Sequence, residues 1–292
     1  MKIMKIMRKI FESSFGLRFL IALRDRQRII IGLSKGSITK TSRDIDLTKP
    51  SSWEFSGFSQ NGEDGIINVL KNQLTKSNRY FIEIGTADGI DNNSAWLLIT
   101  ENFNGLMIEA DKKLTDRATR FLRFFNHGLK VVNNFVTKDN IDSLKSDAQF
   151  HDPDFFSLDI DSMDYYVAKA VLDSGIKPKI FCVEYNSAFG PEKQLSIKYS
   201  DDFAIGRDYS WLYYGASINA WKKLFHENGY RFVTVESNGV NAFFVNPEYF
   251  DSDFLDNIES NDFCENQSQL ERFRIGHQDQ FKIISDLDFY EV

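Results

Sequence analysis

The chain is poor in cysteine and proline and carries fewer basic than acidic residues. Of its 292 residues, two are cysteine and five are proline, and the formal net charge is −7. Two cysteines supply no disulfide framework, and Cys182 falls inside an apolar run, which favours a reducing compartment such as the cytoplasm. The negative charge argues against a nucleic-acid-binding body. No apolar run reaches the roughly 18 residues of a membrane span, and no small-residue cleavage site marks a secretory signal.

The basic residues that are present concentrate near the N-terminus. Residues 1–35 contain nine Lys or Arg and two acids, a net charge of +7, which leaves −14 on the remainder. Residues 1–33 are predicted to form one or two basic amphipathic helices, with Ile3, Ile6 and Ile10 on the apolar side. Such helices bind an anionic membrane surface, here at the periphery of the inner membrane, or pack on the body or on a second copy of the chain. Residues 34–52 are predicted to be a linker.

The stretch from Arg79 to Gly89, R-Y-F-I-E-I-G-T-A-D-G, predicts the centre of the fold. Its apolar part, residues 80–84, is typical of a buried strand, and a glycine turn follows from Gly85 to Gly89. The cluster Asn92-Asn93-Ser94 offers N-cap side chains for a helix after the turn. A strand, a glycine turn and a helix form the nucleotide-binding corner of a doubly wound sheet.

The charge at this corner favours a particular nucleotide. A dinucleotide site shows G-x-G-x-x-G, whereas here Ala87 stands where a second glycine would be. Glu83 and Asp88 would repel a pyrophosphate but suit a ligand with a cationic amino group and no phosphate, such as S-adenosylmethionine (SAM). Glu109 ends the next apolar run, 20 residues past Gly89, where a carboxylate meets ribose hydroxyls. A structural turn with incidental acids and an NAD site are the alternatives.

Apolar runs and helical patterns alternate after this corner, which predicts a mostly parallel, Rossmann-like α/β sheet with helices on both faces. Strands are predicted at 106–109, 129–136, 155–160 and 180–184. Asn238-Gly239 separates two further apolar runs and predicts an antiparallel hairpin. The domain is therefore predicted to span 53–247, with a lid or substrate insertion at 187–214 and a C-terminal extension at 248–292.

Acidic and amide side chains follow the fourth and fifth predicted strands. The fourth ends L-D-I-D-S-M-D-Y, with Asp159 and Asp161, and the fifth ends V-E-Y-N, with Glu184 and Asn186. Adjacent strand ends bring such oxygen ligands together, and this chemistry suits a hard divalent cation such as Mg²⁺. The alternative is that these carboxylates cap helices or hold cofactor or substrate without a metal.

E-I-G-T-A-D-G, the acid-ended second strand and the terminal hairpin resemble the class I SAM-dependent methyltransferases. The segments S-Q-N-G-E-D-G-I, L-D-I-D-S-M-D-Y, V-E-Y-N and G-V-N-A-F-F-V resemble an FkbM-related branch found in bacterial glycan and natural-product clusters. The resemblance covers roughly residues 55–246 and implies a seven-stranded sheet whose last strand is antiparallel. It implies that Glu83, Gly85 and the loop to Gly89 hold the methionine end of SAM. It further implies that Glu109 holds the ribose and that Val136 lies near the adenine.

Metal-dependent relatives of the catechol O-methyltransferase type place an acid after the fourth strand and an acid and an amide after the fifth. Asp159, Glu184 and Asn186 match these places, so the resemblance implies that they bind the metal. The sequence also departs from the pattern. Ala87 replaces a usual glycine, Tyr185 separates the acid from the amide, and Ser162 stands where a lysine is expected.

These observations predict a SAM-dependent O-methyltransferase that acts on a sugar, a glycan or another hydroxylated small molecule. Asp161 is the predicted general base, and Asp159 shares the catalytic site or holds Mg²⁺ with Glu184. Gln60, Asn93 and Asp159 are predicted to join the cofactor site. Asp161 and three aromatic residues are predicted to contact the acceptor; the aromatic residues are Tyr185, Trp211 and Tyr214. The alternatives are an inactive binding or scaffold module and an NAD(P)-dependent sugar-modifying enzyme.

Overall fold

A computed structural model of the chain describes residues 14–203, 205–206 and 210–292. The predicted apolar face of residues 3–10 lies outside the described residues. The strands are β1 (Tyr80–Ile84), β2 (Asn104–Glu109), β3 (Leu129–Asn133), β4 (Phe155–Leu158), β5 (Ile180–Glu184), β6 (Leu195–Ile197), β7 (Arg231–Val235), β8 (Asn241–Val245) and β9 (Phe289–Glu291). The helices are α1 (Ser14–Ser42), α2 (Glu63–Asn72), α3 (Ala95–Glu101), α4 (Lys112–Leu122), α5 (Ile141–Asp147), α6 (Asp164–Asp173), α7 (Ile218–Glu227), α8 (Ser252–Asp256), α9 (Gln267–Phe273) and α10 (His277–Ile284).

The main sheet has seven strands in the order β3-β2-β1-β4-β5-β8-β7. The strands from β3 to β5 pair in parallel, and β8 pairs antiparallel with both β5 and β7. This arrangement confirms the predicted α/β fold and the antiparallel hairpin strand. β1 lies between β2, which follows it in the chain, and β4 on its other side. At such a switch point a crevice opens at the carboxyl ends of the strands, and ligands bind there in sheets of this kind.

Helices bury both faces of the sheet, as a parallel sheet requires. Successive residues of β1 point into two different apolar clusters: Phe81 packs on the face covered by α2, α3 and α4, and Ile82 packs on the face covered by α5, α6 and α7. All five residues of β1 are buried. The sequence signal of a short continuous apolar run therefore corresponds to a central strand.

The N-terminal helix packs on the body through α3. Ile29 is buried in a cluster with Phe58 and Trp96. The helix continues to Ser42, so residues 34–42 of the predicted linker are helical, which corrects that part of the prediction. Two glycines of this helix allow the close approach: a Cβ atom on Gly32 would lie 2.6 Å from a ring carbon of Phe58, and one on Gly36 would lie 2.3 Å from a ring carbon of Trp96. None of the described helices combines the length and the apolarity needed to cross a bilayer.

This contact gives a first prediction. Replacing an exposed helical glycine by alanine normally stabilises a protein by about 1 kcal/mol. We expect Gly36→Ala to destabilise α1 packing by about 2 kcal/mol instead, because the new methyl group overlaps the Trp96 ring. Limited proteolysis should then cleave within residues 14–42 much faster than in the wild type. Ser37→Ala is the matched control on the exposed side of the same helix, and equal resistance of both variants would contradict the packing.

The insertion at 187–214 is joined to the C-terminal extension. β6 pairs antiparallel with β9, and a separate apolar cluster with Phe189, Leu212 and Ile284 lies beneath this pair. The main-chain carbonyl of Asp288 accepts a hydrogen bond from the Tyr213 hydroxyl. The two ends of the segment that the sequence predicts to be loop-like, residues 187–190 and 212–214, are therefore buried. The extension, for which the sequence predicts no fold, forms α8, α9, α10 and β9.

Candidate active site

The backbone geometry of the turn after β1 accounts for two of its glycines. Gly85 has φ +86°, and a Cβ atom there would lie 1.7 Å from the carbonyl oxygen of Asp159. Gly89 has φ +79°, and its Cβ would lie 2.4 Å from a methyl carbon of Leu122. At Gly85 only glycine fits without a backbone shift, and at both positions the positive φ disfavours a residue with a Cβ atom. Gly85 therefore permits close contact of β1 with the end of β4, whereas Gly89 packs on α4 and lines neither of the two cavities described next.

Two adjoining cavities open at the carboxyl ends of β1, β2 and β4. The larger is about 270 Å³ and the smaller about 70 Å³, and Gly85 and Asp159 line both. The structure places seven of the eight predicted cofactor residues on these walls, Gly89 being the exception. Glu109 and Val136 line the larger cavity. Gln60, Glu83 and Asn93 line the smaller one.

All the charged side chains that are described as lining these cavities are acidic. Among the described residues that line them, none is lysine, arginine or histidine. The lining acids are Glu63, Glu83, Asp91, Glu109, Asp159 and Asp161. A ligand with phosphate groups would meet no counter-charge on these walls, whereas a cationic ligand would be attracted.

Asp88 does not add to the negative charge of these cavities, although its place in the turn predicts that it would. Its carboxylate binds the guanidinium of Arg28, on α1, at 2.5 Å and that of Arg117, on α4, at 2.8 Å. Burial opposes ionisation of Asp88, but these two arginines lower its pKa below the ordinary value. The prediction that Asp88 repels a pyrophosphate is therefore wrong, because its charge is neutralised by arginines outside the cavities.

Glu83 holds the turn that precedes α3. Its buried carboxylate accepts hydrogen bonds from the main-chain N–H groups of Asn93, at 3.0 Å, and Ser94, at 3.2 Å, and from the Ser94 hydroxyl. The Asn93 amide in turn donates to Ser157 Oγ at 3.0 Å. Burial raises the pKa of Glu83 to about 7. Glu83 thus fixes one wall of the smaller cavity, and Asn93 ties that wall to β4.

Glu109 connects the glycine turn to the start of α4. One carboxylate oxygen accepts the main-chain N–H of Ala87 at 2.8 Å, and the other accepts that of Asp111 at 2.8 Å. Ala87 has φ +48°, a left-handed conformation that costs about 1–2 kcal/mol for a residue with a Cβ atom. The Glu109 carboxylate stabilises this conformation and remains partly exposed at the larger cavity. Each oxygen keeps a second lone pair for a ligand hydroxyl.

Three carboxylates form a cluster at the ends of β4 and β5: Asp159, Asp161 and Glu184. One oxygen of each lies within 4.8 Å of the others. Glu184 is 8% exposed, and its Oε2 atom has no hydrogen-bond partner among the described residues. Its Oε1 atom accepts the Tyr214 hydroxyl at 3.1 Å. We refer to Asp159, Asp161 and Glu184 as the carboxylate trio.

The trio retains protons more strongly than ordinary carboxylates. Burial, together with the negative charge of its neighbours, raises the pKa of Asp159 and of Glu184 well above the ordinary range. The proximity of Glu184 partly offsets this effect for Asp159. Such a pair shares a proton, which a bound cation would displace.

Several predicted site residues have other positions. The Asn186 amide donates to the carbonyls of Leu212 and Tyr214, at 2.8 and 3.0 Å, and its oxygen accepts the N–H of Ala188 at 3.1 Å. Its side chain therefore holds the 212–214 segment, and Asp161 takes the third place in the trio. The hydroxyl of Tyr185 lies in the core and donates to the Cys264 carbonyl at 2.6 Å.

The aromatic residues predicted to contact the acceptor separate into two groups. Trp211 is 47% exposed and its ring lies 4.6 Å from the Arg272 guanidinium carbon, away from both cavities. Tyr214, by contrast, contacts the trio through Glu184. Sequence reasoning missed Gln269, whose amide N–H donates to the Tyr214 hydroxyl oxygen at 3.1 Å. This contact orients the Tyr214 O–H toward Glu184, and no sequence signal in the extension indicates it.

No known protein-family profile matches this chain, and no curated protein is significantly similar in sequence. Solved structures of similar fold include an O-methyltransferase from Bacillus cereus in complex with S-adenosylhomocysteine (SAH), with 14% identity, a TM-score of 0.43, and coverage of 75% of this chain and 89% of that chain. Fibrillarin from Aeropyrum pernix with natively bound SAM has 9% identity, a TM-score of 0.40, and coverage of 58% and 67%. A SAM-dependent methyltransferase from Clostridium acetobutylicum ATCC 824 has 16% identity, a TM-score of 0.38, and coverage of 63% and 89%. Similarity at this level concerns the fold and says nothing about substrate or mechanism.

Proposed function

We propose that the chain is a SAM-dependent methyltransferase that methylates a hydroxyl group. The observation that carries this proposal is the composition of the two cavities at the strand ends, which combine acidic side chains with no described basic residue. SAM carries a cationic ammonium and a sulfonium and has no phosphate, so it fits this charge, whereas a dinucleotide does not. The antiparallel β8 agrees with the topology that the sequence resemblance implies.

Each end of the cofactor has residues suited to it. SAM supplies a methyl group on a sulfur that is already a good leaving group, so the protein's task is alignment and exclusion of water. The Glu109 carboxylate can accept ribose hydroxyls through its remaining lone pairs. Val136 and Ile108 provide apolar walls in the same cavity for the adenine. Gln60 and Glu83 line the smaller cavity, where polar groups suit the amino-acid end.

The carboxylate trio can take the proton that the acceptor hydroxyl loses. When the oxygen forms its bond to the methyl carbon, the carbon–sulfur bond breaks and the hydroxyl proton must leave. Asp159 and Asp161 line the larger cavity, and Glu184 lies within reach of both. A carboxylate with a raised pKa is a stronger base than an ordinary one once it is ionised, which makes the trio suited to this transfer.

The trio also fits a divalent cation such as Mg²⁺. Its three oxygens lie within 4.8 Å of one another, and the buried Oε2 atom of Glu184 lacks a partner among the described residues. Oxygen ligands of this kind are the ones that Mg²⁺ prefers. Asp159, Asp161 and Glu184 would hold the ion, which would lower the pKa of an acceptor hydroxyl. The Asn186 oxygen already accepts the Ala188 N–H, so we do not include it among the ligands.

A polyhydroxyl acceptor such as a sugar or a glycan matches the chemistry of the cavity mouth. Carboxylates accept hydrogen bonds from hydroxyl groups, and Asp161 is exposed at the larger cavity. Phe135 also lines this cavity and is 59% exposed, so its ring face is available to an apolar sugar face. These two residues support an acceptor that combines hydroxyls with a flat apolar side.

Calorimetry with SAM tests the cofactor assignment. We expect the wild type to bind SAM with micromolar affinity and to bind NAD or NADP more weakly by a factor of about 100, since each unpaired phosphate charge is desolvated against acids. Glu109→Ala should weaken SAM binding by about tenfold or more, because it removes a charged acceptor and releases Ala87. Glu248→Ala, on an exposed turn after β8, is the matched control. Equal SAM affinity of Glu109→Ala and wild type would contradict the assignment.

Turnover separates an enzyme from a binding module. Labelled SAM is incubated with fractionated glycans and hydroxylated small molecules, with EDTA or with added Mg²⁺. Transfer of label to an oxygen of the acceptor supports the proposed reaction, and its loss with EDTA supports metal assistance. SAM binding without transfer to any fraction would instead indicate a module that keeps the cofactor site and lacks catalysis.

A further inference from the structure

An apolar groove lies between the outer side of α1 and the end of α4, away from the cavities of the candidate active site. It has a volume of about 500 Å³. Ile30 is 63% exposed at one edge and Phe124 is 85% exposed at the other. Phe19 and Leu23 continue the exposed apolar row along α1 at helical spacing, since residues three or four apart share one face of a helix. Large apolar side chains grouped in this way on a surface indicate a binding site.

The charge around this groove is positive. Arg26 and Arg120 line it and are exposed, and Arg123 is exposed on the next turn after α4. The sequence of α1 contains one acid, Asp25, which is buried and bound to Arg117 and so does not face solvent. The exposed side of α1 that borders the groove therefore combines apolar and basic residues without an opposing acid.

We propose that this α1–α4 surface, formed by Phe19, Leu23, Arg26, Ile30, Arg120 and Phe124, binds the surface of an anionic lipid bilayer. Apolar side chains enter the boundary between headgroups and acyl chains, and arginines at the same level pair with anionic headgroups. The sequence of residues 1–13 adds Lys2, Lys5, Arg8 and Lys9 against a single acid, Glu12. This segment precedes α1 directly and adds to the attraction.

The same charges disfavour the other occupants of the groove. A second copy related by a two-fold axis would bring Arg26 and Arg120 of one chain toward those of the other, and like charges repel. A return of residues 1–13 into the groove would bring a basic segment against a basic rim. The binding surface does not depend on SAM or on methyl transfer, so it stands or falls separately from the proposed function.

Sedimentation with vesicles tests this proposal on the full chain. Vesicles of phosphatidylcholine alone are compared with vesicles in which about one lipid in three is phosphatidylglycerol. We expect binding to the anionic vesicles only, and a decrease of about tenfold between low salt and about 0.5 M salt, where the Debye length is short. Arg26→Gln should weaken binding by about fivefold, as one interfacial arginine does. Arg231→Gln, an exposed arginine on β7, is its control.

The apolar contact has its own matched pair of variants. Ile30→Glu should weaken vesicle binding by about tenfold or more, whereas Ile283→Glu should leave it unchanged. Ile283 is an exposed helical isoleucine on α10, at 53% exposure. Because Ile30 is exposed, both variants should fold, which circular dichroism and thermal unfolding verify. Equal binding of Ile30→Glu and wild type would overturn the proposal. So would a wild-type dimer in light scattering that Ile30→Glu dissociates, since the groove would then bind a second copy.

Discussion

Replacing Glu184 with glutamine is expected to lower kcat/KM for methyl transfer by about 10³-fold, the scale at which a positioned base contributes. Glutamine has nearly the same shape, so the Tyr214 hydroxyl keeps an acceptor oxygen. The trio loses one of its charges, and with it the ability to hold a proton or a divalent cation strongly. SAM affinity should stay unchanged, because Glu184 lines neither cavity. Glu248→Gln is the control for an exposed glutamate.

The pH dependence of this variant separates a base from a structural contact. In the wild type, kcat/KM should rise with pH, because burial raises the pKa of Asp159 and Glu184 and the trio acts only after losing its shared proton. In Glu184→Gln the ionisation of Glu184, whose pKa is raised by burial and by the charge of Asp159, is absent, so the pair no longer has a second carboxyl group to deprotonate. The rising limb of the residual activity should therefore move to lower pH. The role of the trio would be contradicted if Glu184→Gln kept the kcat/KM of the wild type. It would also be contradicted if the variant lost activity but its pH profile of kcat/KM did not shift.

Gly85→Ala is expected to abolish SAM binding and to lower the free energy of unfolding by more than about 3 kcal/mol. The new Cβ atom would lie 1.7 Å from the Asp159 carbonyl oxygen, a backbone atom that cannot rotate away, and φ at Gly85 is +86°. Either β4 moves away from β1 or the turn opens. Both changes alter the wall that the two cavities share.

A second glycine isolates the conformational part of this effect. Gly229 has φ +81°, and no atom lies within 4 Å of its ideal Cβ position. Gly229→Ala should therefore cost only about 1–2 kcal/mol for the left-handed conformation and leave SAM affinity unchanged. Urea unfolding gives the stabilities of both variants and calorimetry gives their affinities. If the two alanine variants lost equal stability, the contact with Asp159 would have no energetic role.

Much of the fold follows from local patterns in the sequence. The continuous apolar run of β1 predicts a central strand because both faces of a parallel sheet are buried, and Asn238-Gly239 predicts the hairpin because that dipeptide favours the required turn. The end of α1 does not follow from local patterns, because residues 34–42 are mostly polar and predict a linker although they are helical. What extends the helix is a tertiary contact: Gly36 fits against Trp96, and local composition does not encode that contact.

The candidate site could be predicted only in part, for a related reason. Glu83, Glu109 and Asp159 lie at or next to the carboxyl ends of β1, β2 and β4, which are neighbours in the parallel sheet, so the sheet brings them to one edge. The charge of Asp88 could not be assigned from its position in the turn, because Arg28, which neutralises it, lies 60 residues earlier. Asn186 and Gln269 depend likewise on how the insertion and the extension meet. The contacts that these side chains make with a cofactor or an acceptor are predictions.

The pairing of β6 with β9 has a consequence for the order in which the protein assembles. The two strands are about 90 residues apart, and β6 finds its partner only after residue 291 has left the ribosome. The crossovers that build the crevice at the strand ends are complete by Glu184, so that part can collapse during synthesis before β6 is paired. A chain stalled between these two points would present β6 as an unpaired edge strand, which can pair with another chain and aggregate.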